Sequence, residues 1–159
     1  MECCNSKNSH KSFAAQCTAC GKTGKPVKRE TLEHLLKEDC VSFIQNVQYC
    51  FCLSPYCNVV YFSRNSDTFY KEDLKVRVGL KETEDPIPVC YCFGYTQKMI
   101  LEDFLKNGCS TIQKEITKKV KEGVCQCEVT NPQGTCCLGD VAQVTKSARL
   151  RFLEKESMD

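Results

Sequence analysis

The chain has 159 residues, 42% of them hydrophobic and 26% charged, with a formal net charge of +2 and 15 cysteines. That apolar content excludes a disordered or collagen-like chain, and no apolar run approaches the roughly 20 residues a membrane span needs. The charge is too small for a nucleic-acid surface. One ordinary domain or two small ones fits the length, and the cysteines are what require explanation.

The N-terminus, Met1-Glu2-Cys3-Cys4-Asn5-Ser6-Lys7, lacks the apolar core of an export signal, so a cytoplasmic protein is expected. In a reducing compartment, closely spaced cysteines are metal ligands or redox groups more often than bridges. Residues 1–16 read as a polar tail holding Cys3, Cys4 and His10, and adjacent cysteines seldom share a metal. Cys17-Thr18-Ala19-Cys20-Gly21 is a zinc-knuckle sequence, C-x2-C followed by glycine. Gly21-Lys22-Thr23 is not a phosphate loop, because the position that motif gives to glycine holds Gln16. A short helix is expected over 31–37, with Thr31 as N-cap, Leu32, Leu35 and Leu36 on one face, and His34 exposed. Residues 47–52 alternate as a strand, 58–62 are β-branched and aromatic, and 68–80 read as further strand. Cys52-Leu53-Ser54-Pro55-Tyr56-Cys57 closes the hairpin between the first two. With Cys17 and Cys20 it supplies four sulfurs, the number that tetrahedral Zn²⁺ takes.

A charged, proline-broken stretch at 81–88 reads as a linker. Beyond it stand Cys90-Tyr91-Cys92 and Gly94. A helix capped by Thr96 follows, with an apolar face of Met99, Ile100, Phe104, Leu101 and Leu105, and it stops at Asn107-Gly108. Ser110 and Gln113 open a second helix through Ile112, Ile116 and Val120, which makes a helix-turn-helix. Its lysines (114, 118, 119 and 121) read as a solvated face rather than a DNA contact. The turn Asn131-Pro132-Gln133-Gly134 folds Cys136 or Cys137 back towards Cys125 or Cys127. Four of the six cysteines 90, 92, 125, 127, 136 and 137 are therefore expected around one site. A last helix runs from Leu138 to about residue 154. No histidine follows His34, which excludes a Rieske-type centre, and no catalytic constellation is present, so a carrier rather than an enzyme is expected.

The string Pro88-Val89-Cys90-Tyr91-Cys92, the helix pair, and Cys127-Glu128-Val129-Thr130-Asn131-Pro132-Gln133-Gly134-Thr135-Cys136-Cys137 resemble the N-terminal domain of archaeal-type CopZ copper chaperones. So do Cys17-x2-Cys20, Cys52-x4-Cys57-Asn58-Val59-Val60-Tyr61-Phe62 and Val76-Arg77-Val78-Gly79, so that the resemblance runs from about residue 17 to 146. It implies an α+β chain: a small zinc-stabilised β-rich module (17–80), the linker, and a small helical [2Fe–2S] domain (89–150) similar to bacterioferritin-associated ferredoxin. A tail follows at 151–159. It further implies structural Zn²⁺ on Cys17, Cys20, Cys52 and Cys57, and a cluster on Cys90, Cys92, Cys127 and Cys137, with Cys125 and Cys136 as neighbours able to substitute. The Met-x-Cys-x-x-Cys loop that holds Cu(I) in the family's second domain has no counterpart here. The leading expectation is a one-electron carrier or redox partner in copper handling, acting with a redox protein or copper-transport components. The alternatives are a metallochaperone holding Cu(I) on spare thiols (Cys3, Cys4, Cys40, Cys50 or Cys109) and a helix-turn-helix metal-responsive regulator.

Overall fold

Short runs of β-branched and aromatic residues pair into an antiparallel sheet in the first half of the chain. The computed structural model describes residues 15–158. The sheet has the order β1 (Lys25–Val27), β2 (Tyr49–Phe51), β3 (Val59–Ser63), β4 (Thr68–Tyr70). Cys50 lies opposite Phe62, and a register shift between Val59 and Tyr61 marks a bulge in β3. All of β2 and β3 is buried, not the alternate residues that the 47–52 pattern suggested, because both faces of the sheet are covered. On one face Phe51, Tyr61 and Phe69 pack with Leu32 and Leu36 from α1 (Arg29–Leu35) and its end. On the other, Ala15, Val59 and Phe62 pack around Cys17, Cys50, Cys52 and Cys57. The short helix α2 (Glu38–Val41) leads from α1 towards β2.

Several expectations need correction here. Helix α1 begins at Arg29 with Lys28 at the cap position, so Thr31 lies inside it. Its buried hydroxyl donates to the Glu128 carbonyl at 2.6 Å, a partner 97 residues away that no local pattern announces. The strand expected over 68–80 ends at Tyr70. There the Asp73 carboxylate accepts from the Tyr70 N–H at 2.7 Å, and the chain turns through 3₁₀ turns at Lys71–Asp73 and Gly79–Lys81. Ala15 and Gln16 belong to the fold and not to a tail: Ala15 is buried and accepts from the Gly24 N–H at 2.9 Å. Cys3, Cys4 and His10 lie outside the described residues.

In the second half, β5 (Pro88–Cys90) and β6 (Tyr95–Thr96) form a hairpin whose turn uses Gly94 at φ +73°. Thr96 and Ser110 cap α3 (Gln97–Asn107) and α4 (Thr111–Lys121) as expected, accepting from the N–H groups of Met99 at 3.3 Å and Gln113 at 3.0 Å. The expected helix-turn-helix is formed. Its core is Val89, Ile100, Ile112, Ile116 and Val141, while Met99 and Leu105 from the expected apolar face are exposed. A single turn, α5 (Cys127–Thr130), precedes the last helix, α6 (Leu138–Met158). The expected tail from 151 is therefore helical as far as Met158. Arg, Leu, Glu and Lys favour helix there, and Phe152 packs edge-on against Phe104 at 5.9 Å.

Candidate metal centres

The knuckle and the hairpin tip bring the first four cysteines together. Cys17 and Cys20 are held by a tight turn in which the Gly21 N–H donates to the Cys17 carbonyl at 2.8 Å and Gly21 adopts φ +74°. Cys52 and Cys57 flank the loop after β2. All four sulfurs lie within 4.8 Å of one another, with Cys17–Cys57 at 3.9 Å and Cys20–Cys52 at 3.6 Å. Metal–sulfur bonds of about 2.3 Å in a tetrahedron give sulfur–sulfur edges near 3.8 Å, so the spacing suits one Zn²⁺. Cys20 is exposed and the other three are buried. The Lys22 N–H pulls the Cys20 thiol down to about 7, whereas burial pushes Cys52 up to about 12 and also raises Cys57. Buried thiols resist ionisation in isolation, and a bound cation supplies the charge that makes thiolates of them.

A second group forms where the β5–β6 hairpin meets α5 and the start of α6. Cys92 Sγ lies 3.5 Å from Cys127 Sγ, and Cys137 hydrogen-bonds to both Cys90 and Cys127. Cys90, Cys127 and Cys137 are buried against Val89, Ile100, Ile116 and Val141, and Cys92 is half-buried. Backbone N–H groups surround the sulfurs: Gln126 donates to Cys92 at 3.1 Å, Phe93 to Cys90, and Cys137 to Cys127. The Thr130 hydroxyl, 3.0 Å from Cys92, was not singled out in the sequence. The proton that Cys137 shares raises its own thiol and lowers Cys127 to about 6 and Cys90 to about 7, while burial raises Cys92. Cys136, half-buried, also reaches Cys127, and Cys125 packs against the same core.

Of the other spare cysteines among the described residues, Cys50 packs in the same cluster as the first four, while Cys40 and Cys109 belong to neither group. Cys40 contacts Asp73 Oδ1 at 3.7 Å, Cys50 is buried in β2, and Cys109 lies between α3 and α4. His34 is exposed on α1.

Four thiols within 4.8 Å of one another on a small α+β scaffold define a metal-binding protein, and among the described residues only Cys17, Cys20, Cys52 and Cys57 close to that spacing. Residues 14–75 match a family described as a zinc binding domain. Over 122 residues the chain is 43% identical to the copper chaperone CopZ of Archaeoglobus fulgidus, a span that takes in 77% of this chain and 57% of that protein. The X-ray structure of the Archaeoglobus fulgidus CopZ N-terminal domain superposes with a TM-score of 0.68 at 37% identity, covering 82% of this chain and 97% of that one. The chain belongs to the family of CopZ-type N-terminal zinc-binding modules. It spans little more than half the length of the curated relative it matches.

Proposed function

We propose that the chain works in copper handling as a metallochaperone-type module, binding metals and carrying out no transformation of an organic substrate. The observation that carries this is the 43% identity to a copper chaperone, over a span that includes most of the chain. Kinship of that kind favours the chaperone reading over an electron carrier acting alone. Copper is the cargo, and as soft Cu(I) it would take thiolates outside the two groups of four. Of the described candidates, Cys40 and Cys109 are half-buried and within reach of solvent, whereas Cys50 is enclosed. Cys3 and Cys4 are the adjacent pair. The partners would be copper-transport components. Among the described residues no helix is long and apolar enough to cross a membrane.

Within that reading, Cys17, Cys20, Cys52 and Cys57 would hold structural Zn²⁺, since four thiolates leave no open position for a substrate. Cys90, Cys92, Cys127 and Cys137 would hold a [2Fe–2S] cluster, and the donor set fits one: all thiol, largely dry, and lined by backbone N–H groups. When bound, such a cluster supplies one-electron chemistry, which a cargo that cycles between Cu(II) and Cu(I) can use. The chain's own part is to exclude water with Val89, Ile100 and Val141 and to stabilise sulfur charge with the Gln126, Phe93 and Cys137 N–H groups.

Anaerobically purified protein tests the whole reading. One zinc and two iron per chain are expected, with visible iron–sulfur absorption and retention of added Cu(I) against a modest chelator. Retention of Cu(I) without iron leaves the chaperone reading and removes the cluster. Failure to retain Cu(I) removes the chaperone.

A further inference from the structure

We infer that Lys81 is a positioning residue for the first cysteine centre: its buried ammonium is the counter-charge of the four thiolates, and it ties down the loop that carries two of them. The inference rests on the reading of that centre as a zinc site. Lys81 is only 4% exposed, although the sequence places it at the head of a charged linker. An interior lysine is rare unless paired. Among the described residues it has no carboxylate partner: Glu82, its neighbour in sequence, pairs with Lys71 at 3.3 Å and Arg77 at 2.8 Å.

The Lys81 Nζ instead donates to two carbonyls of the Cys52–Cys57 loop, those of Ser54 at 2.7 Å and Cys57 at 3.0 Å. It also lies over the ring of Phe51, the residue before Cys52, at 5.7 Å from the centroid. Carbonyl dipoles and a π-face accept a cation, but they do not cancel its charge. Cancellation comes from the centre beside it. Four thiolates around a divalent ion keep a net charge of about −2, and that surplus sits in the same dry interior. The metal-loaded centre and the ammonium therefore each remove the electrostatic penalty of burying the other.

The segment is anchored from its other side as well. The Gly79 N–H donates to the Tyr91 hydroxyl at 2.8 Å, and that hydroxyl donates to the Arg77 carbonyl at 3.0 Å. A Cβ at Gly79 would clash with the Pro88 carbonyl oxygen, so the turn bearing Lys81 packs directly against the β5 backbone. A lysine set in that turn and aimed at two carbonyls of a ligand loop acts on the metal through position as well as charge.

The test is Lys81→Met in the full chain, with zinc competed by a chromophoric chelator, and cadmium NMR of the cadmium-loaded protein. A Cys20→Ser variant identifies which resonance belongs to the first centre. Zinc affinity is expected to fall roughly 10- to 100-fold, the range for partners that orient ligands, and the first centre's resonance is expected to move while any other cadmium resonance stays. Should Lys81→Met fail to fold, Lys81→Gln, which keeps a donor without the charge, carries the same two measurements. An unchanged affinity or an unmoved resonance overturns the inference. A wild-type chain that binds no zinc overturns the zinc reading instead.

Discussion

At the scale of single residues, the two glycines with opposite roles are the sharpest case. Gly79 meets the Pro88 backbone so closely that any side chain must move a strand of the β5–β6 hairpin. Gly79→Ala is expected to cost about 3 kcal/mol or more, or to abolish soluble expression, because a backbone clash cannot relax through a rotamer. Gly139, in the first turn of α6, has nothing within 4 Å of an added Cβ. Gly139→Ala is expected to stabilise by about 0.5–1 kcal/mol through helix propensity and lower unfolded-state entropy. Thermal melts of the two variants beside the wild type check both, and equal effects would contradict the packing described. The sequence motif Val76-Arg77-Val78-Gly79 marks this glycine without saying why it is needed. The reason is a contact with a residue nine positions on, visible only once the hairpin is folded. Lys81 shows the same limit, since a lysine beside Glu82 and Glu84 reads as solvated until the turn buries it.

At the scale of elements, the helix-end chemistry of α3 and α4 was readable, whereas that of α1 was not, since Lys28 and not Thr31 takes its cap position. Thr96, Ser110 and Gly108 mark the ends of α3 and α4 in the sequence, and each performs that role in the fold. The turn after Tyr70 was not readable, because Asp73 reaches back to the Tyr70 N–H and ends the strand there. Asp103 adds a contact of the same kind between helices: it accepts from the Thr111 hydroxyl, the Ile112 N–H at 3.1 Å and the Asn107 amide at 3.0 Å. Burial opposes its ionisation, but these hydrogen bonds outweigh it and hold its carboxyl below the usual range. A carboxylate depressed in the folded state contributes stability above its unfolded value of about 3.9, and that contribution is lost as pH falls through the folded value. Asp103→Ala is therefore expected to destabilise by about 1 kcal/mol at pH 7, as loss of a capping acceptor does. The gap from wild type should narrow once the pH drops below 4. Denaturant titrations at pH 7 and pH 3 measure it, and a gap constant with pH would remove the role assigned to the charge.

At the scale of the whole molecule, the two groups of cysteines are joined by contacts that no sequence window contains. Thr31 bonds to the Glu128 carbonyl, Lys25 donates to the Thr135 hydroxyl at 2.7 Å, and the Tyr61 hydroxyl donates to the Pro132 carbonyl at 2.6 Å. All three partners lie in the stretch between Cys127 and Cys137, so α1 and the sheet of the first half hold the loop that places two thiols of the second. The motifs made both cysteine groups legible separately, whereas their attachment depends on pairings 71 to 110 residues apart. Tyr61 is the strongest of these links: it is fully buried, its ring packs edge-on against Phe51 at 6.1 Å, and burial pushes its phenol far above the usual range. Tyr61→Phe keeps the ring and removes only the donor, leaving the buried Pro132 carbonyl without it. An orphaned buried acceptor costs about 1–3 kcal/mol. Because the cost falls on the loop, amide exchange of residues 131–137 is expected to speed up by roughly tenfold or more, a tenfold change corresponding to about 1.4 kcal/mol. The central strands β2 and β3, held by their own ladder, should exchange at nearly their former rate. If β2 and β3 lose protection instead and the loop keeps it, Tyr61 supports the sheet and not the second cysteine group, and the two halves are held together by some other contact.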